Sequence, residues 1–155
     1  IFDNYKSFLN ITKKNFKKYL PKNSNAKFFF SKCLISTHQG CYSTVYQKKI
    51  KMNPDLIYLD GPSQFGLIEN KKIFFNTNIA DFMPMSADIL KYEFFLLPGT
   101  IIIIDGRGAN VIFLRKMLRR NWIYKYNKSI DQHYLFLSDK SIGKHNDKLF
   151  LFWDS

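Results

Sequence analysis

Two carboxylates each end a short apolar run and stand directly before a glycine. Asp60 ends the run DLIYLD before Gly61, and Asp105 ends the run GTIIIID before Gly106. Such runs are typical of strands buried in a parallel sheet, and ligands bind at the carboxyl ends of such strands. We therefore predict that both carboxylates face one cleft, where they could bind a metal, hold a hydroxyl or amine, or act as a base. The alternative is that each aspartate only caps the turn that follows it.

Three further residues carry weaker chemical signals. Asp3 precedes the first predicted helix and is either a strand-end ligand or the N-cap of that helix. His133 closes the polar cluster DQH and is a candidate base, although a lone histidine is more often structural. Arg107 follows Asp105 closely and is suited to pair with an anionic group of a substrate. The motifs HxxxH, CxxC and GxSxG are absent from the sequence, and Ser63 does not form a nucleophile elbow.

Helices and strands alternate along the chain. We predict helices over 5–20, 87–97 and 109–120, a short helix over 42–50, and strands over 26–36, 55–60, 100–104, 122–126, 133–138 and 149–153. The first helix carries an apolar stripe of Phe8, Ile11, Phe16, Tyr19 and Leu20, and Ser86 is the predicted N-cap of the helix that follows it. Alternation of this kind indicates parallel crossovers and an α/β sheet, with antiparallel pairing among the last strands.

Composition restricts the class of protein. The 155 residues suit one domain over 1–155, and at 46% hydrophobic the chain can form a core. The net charge is +12, but the lysines are scattered, so nucleic acid is disfavoured as the partner. Cys33 and Cys41 match neither a zinc site nor a disulfide framework, which predicts reduced thiols and a cytoplasmic protein. The longest apolar run is too short to cross a bilayer, so we expect no membrane association.

The strings DLIYLDGP, MSADIL, PGTIIIIDGR and DQH, in this order, resemble class I S-adenosylmethionine-dependent methyltransferases, and the resemblance covers essentially the whole chain. It implies a Rossmann-like α/β sheet flanked by helices, mostly parallel, with an antiparallel strand near the C-terminal edge. No counterpart of the family's first strand and glycine-rich loop is present in the sequence. Together with a first residue that is Ile rather than Met, this predicts an incomplete, truncated domain.

The resemblance also implies roles for individual residues. Those expected at the cofactor are Asp3 at the ribose, Ser31, Lys32 and Cys33 beside the adenine, and Asp60 and Gly61 beside the methyl group. Those expected at the methyl acceptor are Ser63, Arg107 and Asn110, with Asp60, Asp105 and His133 as candidate catalytic residues. Metal-dependent members use two such aspartates and a following Asn, where this chain has Gly106, so we predict no metal.

The predicted function is therefore O-methyl transfer from S-adenosylmethionine to a small-molecule or sugar hydroxyl. Two alternatives stay open: a non-catalytic binding or assembly module on the same scaffold, and a basic nucleic-acid-binding protein. A homo-oligomer is a further expectation, because a sheet that lacks a central strand exposes an edge that another chain can pair with.

Overall fold

The computed structural model describes residues 1–21, 24–49, 53–61 and 85–140. These residues belong to two compact units. The first is drawn from Ile1–Ile50 and Gly61–Ser86, and the second from Lys51–Asp60 and Ala87–Ser155.

The first unit begins with a strand, a helix and a parallel strand. Strand β1 (Phe2–Asp3) pairs in parallel with β2 (Phe29–Phe30), and helix α1 (Lys6–Tyr19) connects them. The predicted helix over 5–20 is confirmed, but its apolar stripe is not its buried face. Leu9 is buried and Phe16 packs edge-to-face on Phe28, whereas Phe8, Ile11, Tyr19 and Leu20 are exposed.

An antiparallel hairpin follows in the first unit. Strand β3 (Cys33–His38) pairs with β4 (Cys41–Tyr46) along its whole length. The connecting residues Gln39 and Gly40 both have positive φ. This is the conformation of the two-residue hairpin turns whose twist matches that of the flanking strands. The short helix predicted over 42–50 is therefore wrong, because a turn at Gln39–Gly40 returns the chain as a strand rich in Thr, Val and Tyr. Strand β6 (Met85–Ser86) adds to β4 in parallel.

The second unit contains a four-stranded mixed sheet. Its strands are β5 (Leu56–Leu59), β7 (Ile101–Asp105), β8 (Trp122–Asn127) and β9 (Gln132–Leu137), in the spatial order β5-β7-β9-β8. Strands β5 and β7 are parallel, whereas β9 is antiparallel to both of its neighbours. The expected antiparallel pairing of the late strands is thus confirmed for β8 and β9. The strand predicted over 149–153 lies outside the described residues.

Side chains of this sheet alternate between a buried face and a half-exposed face. Ile102 and Ile104 of β7 are fully buried, and their register partners Leu135 and His133 lie on the same face. Helix α3 (Gly108–Met117) lies over that face, since Arg115 stacks on Tyr124 of β8 at 4.0 Å.

The opposite face of the sheet is more open to solvent. Leu56 and Tyr58 of β5 are 56% and 53% exposed, so β5 is not buried on both faces as its apolar run suggested. An apolar run does not reveal whether anything covers its second face, which is why the sequence misled here.

The segment before β7 is less regular than predicted. Helix α2 (Asp88–Tyr92) ends in one 3₁₀ turn over Glu93–Phe95, in place of a single helix over 87–97. Ala87 rather than Ser86 is its N-cap, because Ser86 belongs to β6. The buried Glu93 carboxylate accepts hydrogen bonds from the backbone N–H groups of Arg119 and Arg120, at 2.8 Å each.

The predicted Rossmann-like α/β fold is wrong. The described strands form three sheets of two, three and four strands, and the longest ladders, β3–β4, β7–β9 and β8–β9, are antiparallel. The described helices are α1, α2 and α3, too few to flank one parallel sheet on both faces. The physical reason is the connections: two-residue and short turns return the chain antiparallel, whereas a parallel sheet needs a long crossover between each pair of strands.

Candidate functional site

The two predicted carboxylates are brought to one edge of the four-stranded sheet. Leu59 of β5 is the register partner of Ile104 of β7, and Asp60 and Asp105 are the next residues along these parallel strands. Because the strands run in the same direction in register, both aspartates lie at their carboxyl ends. We call this the Asp60–Asp105 edge.

Tyr58 hydrogen-bonds one of the two carboxylates and is a residue that sequence reasoning missed. It lies on the same side of β5 as Asp60, two residues away, and its hydroxyl donates a 2.7 Å hydrogen bond to Oδ2 of Asp105. The pKa of Tyr58 is raised to about 12, first by this hydrogen bond, then by desolvation and by the negative charges of Asp105 and Asp60. Tyr58 therefore stays protonated, and a hydrogen-bond donor, at every physiological pH.

Strand β9 adds two polar side chains to the same face. Gln132 is the register partner of Asp105, and Tyr134 is the register partner of Ile103, so all point to one side of the sheet. The Tyr134 hydroxyl donates to Oε1 of Gln132 at 2.8 Å, and the influence of Gln132 on Tyr58 slightly offsets the rise in the pKa of that phenol. The signal that could have found them is the i, i+2 spacing of Gln132–Tyr134 and Tyr58–Asp60.

The turn after β7 is positioned by Gly106 and Arg107. Gly106 has φ +55°, a conformation that favours glycine, and its N–H donates to the backbone carbonyl of Asp131 at 3.0 Å. The guanidinium of Arg107 donates to the backbone carbonyl of Asp60 at 2.7 Å. Arg107 therefore links the ends of β5 and β7, and this contact holds the two strand ends together.

Asp131 is a third carboxylate at this turn. A Cβ placed on Gly106 would lie 3.4 Å from Oδ2 of Asp131, and Oδ1 of Asp131 accepts a 3.0 Å hydrogen bond from the Tyr126 hydroxyl. That hydrogen bond, followed by desolvation and the charge of Asp131, raises the pKa of Tyr126. Within the described ranges, no group of three or more His, Cys, Asp or Glu side chains is arranged to hold a metal ion.

His133 is placed away from the two carboxylates. Its register partner is Ile104, so its side chain lies on the buried face, opposite to that of Gln132 and Asp105. It is 8% exposed, stacks on Tyr126 at 4.3 Å, and pairs through Nδ1 with the Tyr124 hydroxyl at 2.9 Å. These contacts make His133 part of an aromatic cluster under α3.

The remaining predicted acceptor residues differ in their surroundings. Asn110, in the first turn of α3, is 1% exposed and has a partner inside the protein. A side chain so buried is not on the solvent-facing part of the Asp60–Asp105 edge. Ser63 lies outside the described residues.

The residues predicted at the cofactor belong mainly to the first unit. Asp3 and Ser31 lie together at the carboxyl ends of β1 and β2, since the Ser31 N–H donates to the Asp3 carbonyl at 3.0 Å. Oδ1 of Asp3 accepts the Tyr5 N–H at 2.8 Å, just before the start of α1. Asp3 therefore lies at a strand end, but it is not the N-cap of α1, which is Tyr5; its role as a ligand residue stays a prediction.

Ser31, Lys32 and Cys33 are positioned between β2 and β3. Ser31 is 2% exposed, and its hydroxyl donates to the Lys32 carbonyl and accepts the Lys48 N–H at 2.9 Å. Cys33 is also buried, whereas Lys32 is exposed. Gly61 belongs to the first unit, where an added Cβ would meet the Tyr46 hydroxyl at 3.0 Å.

Comparison with known proteins identifies no relative: no protein-family model, no curated protein and no solved structure matches this chain. Among the described helices, none is long and apolar enough to span a bilayer.

Proposed function

We propose that this chain is part of an S-adenosylmethionine-dependent methyltransferase that methylates a hydroxyl group of a small molecule or sugar. The observation that carries the proposal is the Asp60–Asp105 edge, where two carboxylates end neighbouring parallel strands beside the Tyr58 phenol. The strings DLIYLDGP and PGTIIIIDGR, which form β5 and β7, are the ones that resemble this class of enzyme.

The chemistry requires a proton acceptor and a way to orient the acceptor hydroxyl. S-adenosylmethionine would supply a methyl group bonded to a positively charged sulfur. The acceptor oxygen forms the new bond to the methyl carbon, the carbon–sulfur bond breaks with its electron pair on sulfur, and the hydroxyl proton passes to a carboxylate of this chain. Asp105 is suited to accept that proton, since Tyr58 holds one of its oxygens.

The cofactor residues in the first unit fit only part of the proposed cofactor. Asp3 uses Oδ1 for the Tyr5 N–H, which leaves Oδ2 as the atom suited to a ribose hydroxyl. Ser31 is buried and bonded within the chain, and Cys33 is buried and has a partner of its own. We therefore assign no adenine contact to Ser31 or Cys33.

Charge at the edge restricts the acceptor. Asp60, Asp105 and Asp131 are carboxylates near the ends of the strands, and the Arg107 guanidinium is engaged by the Asp60 carbonyl. A neutral, hydroxyl-bearing acceptor suits this surface better than a phosphate-bearing one, because like charges repel. We also propose a cytoplasmic location, which accords with the absence of a disulfide at Cys33 and Cys41.

Isothermal titration of the chain with S-adenosylmethionine tests the proposal. We expect wild-type protein to release heat of binding and Asp60→Asn to weaken binding about tenfold. Asp55→Asn is the matched control, because it makes the same charge change at the opposite end of β5 and leaves the edge intact. Absence of binding heat in the wild type, or equal losses in Asp60→Asn and Asp55→Asn, would contradict the proposal.

A second candidate function is binding of nucleic acid, and α1 is the observation that favours it. The helix contains five exposed lysines and no acidic residue: Lys6, Lys13, Lys14, Lys17 and Lys18. Such a surface attracts phosphates, and binding of this kind weakens steeply as salt rises. A gel-shift titration with single-stranded RNA at increasing salt tests it, with Lys13→Glu/Lys17→Glu as the weakened variant. Absence of salt-sensitive retardation would remove this candidate.

A further inference from the structure

Polar side chains from three strands lie on one face of the four-stranded sheet beside Asp105. They are Tyr134 and Gln132 of β9, Tyr58 of β5 and Asp105 of β7 itself, and we call them the phenol row. The register places all four on the half-exposed face, since Gln132 pairs with Asp105 and both Tyr58 and Tyr134 pair with Ile103.

Two hydrogen bonds link members of the phenol row. The Tyr134 hydroxyl donates to Oε1 of Gln132 at 2.8 Å, and the Tyr58 hydroxyl donates to Oδ2 of Asp105 at 2.7 Å. Gln132 also acts on the Tyr58 phenol and lowers its pKa, but by less than Asp105 raises it. Asp105 is therefore the acceptor that fixes the Tyr58 hydroxyl.

Burial does not explain the pairing of Tyr58 with Asp105. The Tyr58 side chain is 53% exposed, and water could satisfy its hydroxyl without help from a carboxylate. A buried polar group needs a partner inside the protein, but an exposed one does not. The same bond also holds the phenol near two negative charges, those of Asp105 and Asp60, which both act on it.

We infer that Tyr58 is a positioning residue that holds Oδ2 of Asp105, so that Oδ1 faces the acceptor hydroxyl and takes its proton. Among the described residues, Tyr58 is the group that hydrogen-bonds the Asp105 carboxylate, and it does so at Oδ2. Fixing the carboxylate in advance lowers the cost of aligning it with the reacting oxygen. This inference rests on the proposed methyl transfer for its purpose, but the pairing itself can be measured without any turnover.

The phenol titration tests the pairing directly. The chain is labelled with ¹³Cζ-tyrosine, and the ring resonances are followed by NMR from pH 7 to pH 12.5, with Tyr58→Phe used to assign the Tyr58 signal. We expect the Tyr58 pKa near 12 in the wild type and a fall toward 10 in Asp105→Asn. Asp131→Asn is the matched control: it should lower the pKa of Tyr126 and leave that of Tyr58 unchanged. A Tyr58 signal that titrates near 10 in the wild type overturns the inference.

Steady-state kinetics separate the inference from the proposed function. With a hydroxyl acceptor that the wild type methylates, Tyr58→Phe should lower kcat about tenfold and leave the KM for S-adenosylmethionine unchanged. Asp105→Asn should lower kcat about 100-fold, because it removes the proton acceptor itself. Full activity with an unchanged pH profile in Tyr58→Phe overturns the positioning role. If the wild type methylates nothing but Tyr58 still titrates near 12, the pairing stands and the proposed function fails.

Discussion

At the scale of single residues, Glu93 is the clearest example outside the Asp60–Asp105 edge of a side chain that holds elements together. This carboxylate is 2% exposed, and one oxygen accepts hydrogen bonds from the N–H groups of Arg119, Arg120 and the Trp122 indole. Arg120 also donates to the Glu93 carbonyl and forms a 2.7 Å salt bridge with Asp139. Glu93 thus joins the end of α2 to the start of β8.

Substitution Glu93→Ala should destabilise the protein strongly. It would leave three N–H donors in a buried setting without their acceptor, at a cost of about 3 kcal/mol. Urea unfolding measures the effect as a lower midpoint with an unchanged m-value. Glu93→Gln, which retains an acceptor oxygen, is the control and should lose less; equal midpoints for Glu93→Ala and the wild type would refute this role.

At the scale of elements, the β3–β4 hairpin depends on its turn. Gln39 has φ +49° and Gly40 has φ +79°, and the hairpin register places His38 directly opposite Cys41. A two-residue turn of this type requires positive φ at both central residues, which is why glycine is favoured there. The sequence predicted one strand and a short helix on the two sides of this turn, whereas the structure has two antiparallel strands there.

Gly40→Ala should therefore destabilise the hairpin by about 1 kcal/mol, because alanine in the left-handed region brings its Cβ close to the following carbonyl. Steric conflict with neighbours is not the cause, since a Cβ at Gly40 would have nothing within 4 Å. Thermal unfolding followed by circular dichroism gives the measurement. Gly40→Asn is the matched control, because asparagine tolerates positive φ; a loss as large in Gly40→Asn as in Gly40→Ala would argue against the backbone explanation.

At the scale of the whole molecule, the described sheets differ in size and in how deeply their strands are buried. In the second unit, β7 and β9 each pair with strands on both sides and contribute fully buried Ile102, Ile104 and Leu137. In the first unit, β1 and β2 are two residues each. Local opening is easiest where few buried contacts and short ladders hold the backbone.

Amide hydrogen exchange should follow this difference. We expect amides of 101–105 and 132–137 to exchange more slowly than those of 2–3 and 29–30, by roughly 100-fold or more. Mass spectrometry of peptic fragments at neutral pH measures both regions in one sample, so each acts as a reference for the other. Equal rates in the two regions would show that the four-stranded sheet is no more stable than the pair β1–β2.

Much of the local structure was readable from residue types. The four isoleucines of β7, the amphipathic α1 and the last antiparallel strands follow from β-branched runs and helical spacing, which are local properties. The aspartates that end β5 and β7 were equally visible, because an acidic residue before glycine marks a strand end. Their juxtaposition depended on the parallel pairing of β5 with β7, which was anticipated correctly.

Pairing partners and faces were decided by the tertiary structure alone. Residue patterns do not state which strands become neighbours, so among the described residues the predicted parallel sheet gave way to three sheets whose longest ladders are antiparallel. Likewise, Tyr58 and Asp105 are distant in sequence from each other and from the Gln132–Tyr134 pair, and only the register of β5, β7 and β9 brings them onto one face. Strand ends are local consequences of side-chain chemistry, whereas a shared face exists only once non-local hydrogen bonds have set the register.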